Sequence, residues 1–152
     1  MAINKICESF KAAVSGIKDG STILVSGFGG AGMPTELLNA LREQGASELT
    51  IVSNNAGVGK EGIGGLLLDG RVKKVICSYP RSGGSVVFEE MWAAGKVDLE
   101  VVPQGTLSER IRAAGAGIGG FYTPTGVGTQ LAEGKEVREI NGRLQVLEAP
   151  LK

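Results

Sequence analysis

Residues 21–36 read STILVSGFGGAGMPTE, and the parsing of this stretch decides the fold. Thr22 to Val25 are β-branched or aliphatic, which suits a buried strand. Gly27, Gly29, Gly30 and Gly32 then crowd the positions after Ser26. Glycine tolerates positive φ and lets a ligand approach the backbone closely, so a tight turn is expected here. Pro34 suits a first helical turn, where its missing N–H is no loss. The helix it opens is expected over Leu37 to Gln44, closing at Gly45. Backbone N–H groups at such a helix start are free to bind an anion or a developing oxyanion.

The spacing Gly27-x-Gly29-x-x-Gly32 also matches the dinucleotide-binding fingerprint. That reading requires an acidic residue about 20 positions on, at the end of the next strand, to hold a ribose. The next strand, Leu49 to Ser53, runs instead into Asn54 and Asn55. An anion-binding turn therefore stands first, with a dinucleotide site and a turn without any ligand as alternatives.

A chain of 152 residues suffices for one domain with a sizeable core, and a single domain over residues 1–152 is expected. Sixteen basic and sixteen acidic side chains cancel. Neither nucleic acid nor an anionic membrane is an expected partner. The 25 glycines lie scattered among apolar segments, well above a typical ~7%, and read as many tight turns rather than disorder. Cys7 and Cys77 have no zinc or redox spacing and are expected as buried free thiols, one on a helix and one ending a strand. Histidine is absent from the sequence, which removes the commonest general base and metal ligand and any Ser-His triad. No metal is expected. Met1 to Lys11 carries charges and no long apolar run, and no stretch approaches the ~20 residues of a membrane span, so the expected location is the cytoplasm.

From Thr22 onward short apolar strands alternate with helices. The expected order is an opening helix at Asn4 to Val14, then strands at 22–25, 49–53, 72–78 and 97–102. Helices are expected at 37–44, 66–69, 86–94 and 106–114, the last capped by Thr106 with Glu109 at capping-box spacing. This alternation predicts an α/β fold with an open, mostly parallel sheet and helices on both faces. Residues 115–128 read as an irregular glycine-rich loop. Asn141-Gly142 between two alternating runs predicts a C-terminal β-hairpin over Lys135 to Glu148.

Ligands of an open parallel sheet bind beyond the carboxyl ends of its strands. The loops there are Ser26 to Pro34, Asn54 to Gly59, Tyr79 to Gly84 and Pro103 to Gly105. They present Asn54, Asn55, Arg81 and Gln104, donors that suit a carboxylate or carbonyl better than a metal. An amide that merely closes its own loop is the alternative for each. None of the four loops carries a carboxylate, and no histidine or placed lysine activates a hydroxyl. The edge reads as half of an active site.

With these loops in hand, the chain resembles the A (alpha) subunit of class I coenzyme A transferases, which include succinyl-CoA:3-oxoacid and 3-oxoadipate CoA-transferases. The resemblance rests on Asp19-Gly20-x-x-Ile23-Leu24-Val25-Ser26-Gly27-Phe28-x-x-x-Gly32-x-Pro34 and on Ser53-Asn54-Asn55-Ala56-Gly57. It rests also on Pro103-Gln104-Gly105-Thr106-Leu107-Ser108-Glu109-Arg110-Ile111 and Phe121-Tyr122-Thr123-Pro124-Thr125-Gly126. Ser26 departs from the pattern, since the family usually has glycine there. The resemblance implies an open α/β fold whose two halves pair across a shared site, in a hetero-oligomer with a separate B (beta) subunit of the CoA-transferase.

It also implies a ping-pong mechanism. A glutamate of the B subunit attacks an acyl-CoA thioester to give an acyl anhydride. The CoA thiolate then attacks that anhydride and leaves an enzyme–CoA thioester, from which a second acid takes the CoA. The family's Ser-Glu-Asn-Gly segment that carries this glutamate is absent here, so no catalytic residue is expected in this chain. Acyl-CoA and carboxylic acids are the implied substrates, and no separate cofactor is expected. Gly27, Phe28, Gly29 and Gly32 would lie beside the thioester, with Phe28 walling the pocket. Asn54 and Gln104 match the residues that hold the acid. Tyr79-Pro80-Arg81 looks more like the 3-oxoadipate enzymes, where Arg81 would pair with a distal carboxylate; a solvated loop arginine is the alternative. Family subunits run on past the hairpin, so the expectation is an A-subunit domain lacking the family's C-terminal part. The alternative function is a non-catalytic binding or assembly domain left by truncation.

Overall fold

The computed structural model describes residues 3–152. They form two compact units, one ending at Glu100 and one from Val101 to Lys152. Along the first unit run α1 (Phe10–Val14), β1 (Thr22–Leu24), α2 (Thr35–Gln44), β2 (Leu49–Asn55), α3 (Ile63–Leu68), β3 (Val72–Tyr79), α4 (Val86–Ala93) and all but the last residue of β4 (Asp98–Val101). The strands make one sheet in the order β1-β2-β3-β4. β1 and β2 pair in parallel, as do β2 and β3.

Register explains the core. Ile23, Ile51 and Val75 stand side by side on one face of the sheet, and Leu24, Val52 and Ile76 on the other. Right-handed crossovers in a sequential sheet return their helices to one face. α2 accordingly packs on α1 and α3, and α3 packs on α4. Leu38 and Leu41 of α2, Ile63 and Leu66 of α3 and Phe88 of α4 bury against Leu49, Ile51, Val75 and Cys77. Each large side chain removed from water contributes roughly 1.5–3 kcal/mol. Val52 and Ile76 on the opposite face are buried too. α2 closes as the sequence predicts: Gly45 takes a left-handed φ of 94° and its N–H reaches Leu41 O at 3.2 Å.

The ends of several elements differ from expectation. The opening helix starts at Phe10 instead of Asn4. Ser9 caps it by accepting from the Ala12 N–H, while Asn4 folds its side chain onto the Ile6 N–H, a local bond that competes with helix. Ile6 is 89% exposed, and Cys7 lies exposed outside the helix rather than buried on it. β1 is a short edge strand with Leu24 half exposed, so the buried strand predicted there is buried on one face. β2 runs two residues further, through Asn55, because Asn55 still pairs with Tyr79 of β3. α3 starts three residues early and includes Gly64 and Gly65, where the sequence suggested a loop. A Cβ on Gly64 would stand 2.2 Å from Gly59 O, so this glycine serves close packing.

The second unit contains α5 (Gln104–Ala116), β5 (Phe121–Thr123), β6 (Val137–Ile140) and β7 (Arg143–Glu148). Its three strands form an antiparallel sheet in the order β5-β7-β6. The hairpin is as predicted, with Asn141 and Gly142 both at positive φ. β5 lies inside the stretch read as irregular, because Phe121 to Thr123 pair along β7. α5 begins at Gln104, following Pro103, so Thr106 is an interior helical residue and caps nothing. Its hydroxyl is buried without a partner among the described residues, and Glu109 pairs with Arg112 at 2.9 Å instead of completing a capping box. The Arg110 side chain donates to Ala149 O and the Leu151 N–H donates to Arg110 O, which ties the last residues to α5. Among the described residues, no helix is long and apolar enough to cross a membrane.

Candidate functional site

The glycine loop leaves the C-terminal end of β1. Gly27 sits at φ 122°, and a Cβ there would meet Met33 N at 3.1 Å and Ala31 O at 3.2 Å, so a side chain there would be strained and crowded. Phe28 and Ala31 exchange N–H···O bonds of 2.9 and 3.1 Å around Gly29-Gly30. Gly29 has φ 62° and Gly30 is not at positive φ, the signature of a type II′ turn. Phe28 is thereby held at the tip, 79% exposed. The Ser26 hydroxyl donates to Gly32 O at 3.0 Å, so the residue that departs from the family pattern closes the loop with an exposed bond. The N–H groups of Gly29 and Gly30 have no acceptor among the described residues.

Two further loops are tied to this one. Asn55, only 3% exposed, donates through Nδ2 to Gly29 O at 3.2 Å and accepts the Gly57 N–H at 2.8 Å. Gly59 N–H donates to Gly84 O at 2.9 Å, which links the loop after β2 to the loop after β3. That third loop is braced by Ser82 and Ser85, whose hydroxyls lie 2.9 Å apart. Arg81 projects from it, exposed and without a hydrogen bond or ion pair among the described residues. Asn54 points to the opposite face of the sheet from Asn55. Its Nδ2 reaches Ser78 Oγ at 3.3 Å, and the Ser78 hydroxyl donates to Asn54 O at 3.1 Å.

Gly27, Phe28, Gly29, Gly32, Asn54 and Arg81 thus all lie at the C-terminal edge of the first unit's sheet. Gln104 opens α5 of the second unit. Sequence reasoning named Asn55 but missed its work. The signal was available: side chains alternate along a strand, so adjacent Asn54 and Asn55 face opposite ways. Beneath the edge, burial pushes the Cys77 thiol up to about 11, which keeps it protonated and unreactive as a nucleophile. No group of acidic or sulfur side chains among the described residues is placed to hold a metal. The edge therefore offers backbone N–H donors, one guanidinium and an exposed aromatic ring. These are means of binding an anionic or carbonyl group.

Residues 7–152 match a family described as coenzyme A transferase. The chain is 62% identical over 149 residues to the A subunit of the 3-oxoadipate CoA-transferase of Pseudomonas putida, covering 98% of this chain and 64% of that protein. It is 50% identical over 146 residues to the A subunit of the probable succinyl-CoA:3-ketoacid coenzyme A transferase of Bacillus subtilis, covering 96% and 60%. Among solved structures, the acyl-CoA transferase apoenzyme of Escherichia coli O157:H7 is similar with a TM-score of 0.77 at 25% identity, over 94% of this chain and 32% of that one. The chain spans less than two thirds of the length of these relatives.

Proposed function

The chain belongs to the coenzyme A transferase family, and from that premise we propose that it forms the A-subunit portion of an enzyme moving CoA from succinyl-CoA to a 3-oxoacid. The acceptor is 3-oxoadipate or acetoacetate, and the CoA esters are substrates with no further cofactor. The observation that carries this reading is the 62% identity, over 98% of the chain, to the A subunit of such an enzyme. The name of that relative supports a partnering B subunit, on which the attacking glutamate resides.

The residues of this chain then have definable tasks. Attack on a thioester carbonyl develops negative charge on its oxygen, and a preorganised donor aimed there is worth about 10²–10³ in rate. The outward N–H groups of the Gly29-Gly30 turn supply such donors. Phe28, exposed at the tip of the turn, is placed to wall the pocket once substrate and partner cover it. Asn54, at the end of β2, takes the carboxylate of the acid. Arg81, unpaired within the described residues, takes the distal carboxylate of a dicarboxylic acid.

The test is an exchange assay with the full-length protein and a purified B subunit, supplied with succinyl-CoA and either 3-oxoadipate or acetoacetate. Acyl-CoA products are followed by mass. Transfer only when both subunits are present is the expected result. Two folded subunits that transfer CoA to neither acid overturn the reading and leave a non-catalytic assembly domain.

A further inference from the structure

Resting on the transferase reading, we propose that Asn55 is the positioning residue of the glycine turn: it locks the Gly29–Gly30 peptide with the Gly30 N–H facing outward, where the thioester oxygen binds. The turn has two accessible states. In the observed type II′ form only Gly29 has positive φ. Half a rotation of the central peptide converts it to type I′, which needs positive φ at both positions. Two glycines permit either form, and the Phe28–Ala31 bonds are compatible with both. The turn sequence therefore does not select a state.

Asn55 selects it from outside the turn. Its Nδ2 donates to Gly29 O at 3.2 Å, and its Oδ1 accepts from the Gly57 N–H at 2.8 Å. The second bond fixes the carboxamide orientation, because only Oδ1 accepts an N–H. The peptides of the described residues are all trans, so a Gly29 carbonyl drawn inward sends the Gly30 N–H outward. That N–H has no acceptor among the described residues. In the flipped state the Gly29 carbonyl oxygen would point out instead, presenting an acceptor to a developing oxyanion. Asn55 is 3% exposed and acts through Gly30 rather than on substrate.

Asn55→Asp keeps the acceptor for Gly57 and replaces the donor to Gly29 with a carboxylate oxygen, which draws the Gly30 N–H inward. In the isotope-labelled chain, nuclear Overhauser spectra distinguish the forms. A strong cross-peak between Gly29 Hα and the Gly30 N–H marks type II′, and one between the two N–H protons marks type I′. The first is expected for the wild type and the second for the variant. In the exchange assay with the B subunit, kcat is expected to fall ten- to a hundredfold, with the KM for the acid within about twofold of wild type. Gly30→Ala provides the decisive background, because a Cβ there meets nothing within 4 Å yet disfavours positive φ. Measured against Gly30→Ala alone, Asn55→Asp is expected to cost less than about threefold.

An equal loss in both backgrounds overturns the proposal, since a merely structural Asn55 gains nothing from Gly30→Ala. Asn55→Ser, small and neutral, is run in the same two backgrounds and must show the same background dependence. If the wild type transfers no CoA, the transferase reading fails. The cross-peaks then still decide the peptide orientation, and a type II′ pattern in the Asn55 variants overturns this proposal.

Discussion

At the scale of single residues, steric and electrostatic detail makes sharp predictions. Gly64→Ala places a methyl group 2.2 Å from Gly59 O, and overpacking of this kind costs roughly 1–3 kcal/mol. Gly115→Ala, inside α5 with nothing within 4 Å of its Cβ, is expected to stabilise by about 0.4–1 kcal/mol. Urea midpoints check the pair, and equal shifts would contradict the packing argument. Arg81→Ala is expected to raise the KM for 3-oxoadipate about tenfold, the scale of one charge-assisted hydrogen bond, while leaving that for acetoacetate in place. An unchanged KM for the dicarboxylate removes Arg81 from the site. Much of this scale was not legible in sequence. The glycine cluster announced a turn, but neither the inward bond of Asn55 nor the tight seat of Gly64 follows from residue type. Both depend on what stands opposite after folding.

At the scale of elements, the alternating pattern located every strand of the main sheet and the hairpin, because apolar runs and Asn-Gly are local signals. Failures came where local bonding outcompeted periodicity, as at Asn4 and Ser9, and where a neighbour set the boundary, as at Asn55 and β5. The small sheet also carries a titratable device. Tyr122 donates to Glu136 at 2.7 Å, Arg138 pairs with the same carboxylate, and the guanidinium lies 5.4 Å from the Tyr122 ring. The Tyr122 bond, then Arg138, lowers the Glu136 carboxyl below its ordinary value, and the bond to Glu136 raises the Tyr122 phenol. Folding therefore draws stability from Glu136 above its unfolded value of about 4.3, and loses it as pH falls through the lower folded one. For Tyr122 the contribution is full below about 10 and is lost as pH rises through the higher folded value. Thermal midpoints across both windows are expected to decline at either end, and Glu136→Gln is expected to flatten both limbs. Unaltered slopes in that variant would remove the cluster from the account.

At the scale of the molecule, sixteen charges of each sign and a pI near 6.3 leave little long-range field. Association is expected to be strongest near pH 6.3, where sedimentation should show the largest self-associated fraction, and heparin should not retain the chain at pH 7. Retention there would contradict the reading of the charge balance. The three edge loops have a further consequence. They are joined to one another by single bonds, Asn55 to Gly29 and Gly59 to Gly84, none of which involves the side chain of Phe28 or Arg81. Over evolutionary time these two positions can be rewritten without unpicking the loops, whereas insertions or deletions within any loop break the stitching. Descendants of this chain can therefore trade one acid for another by point substitution, while the lengths of the three loops stay fixed.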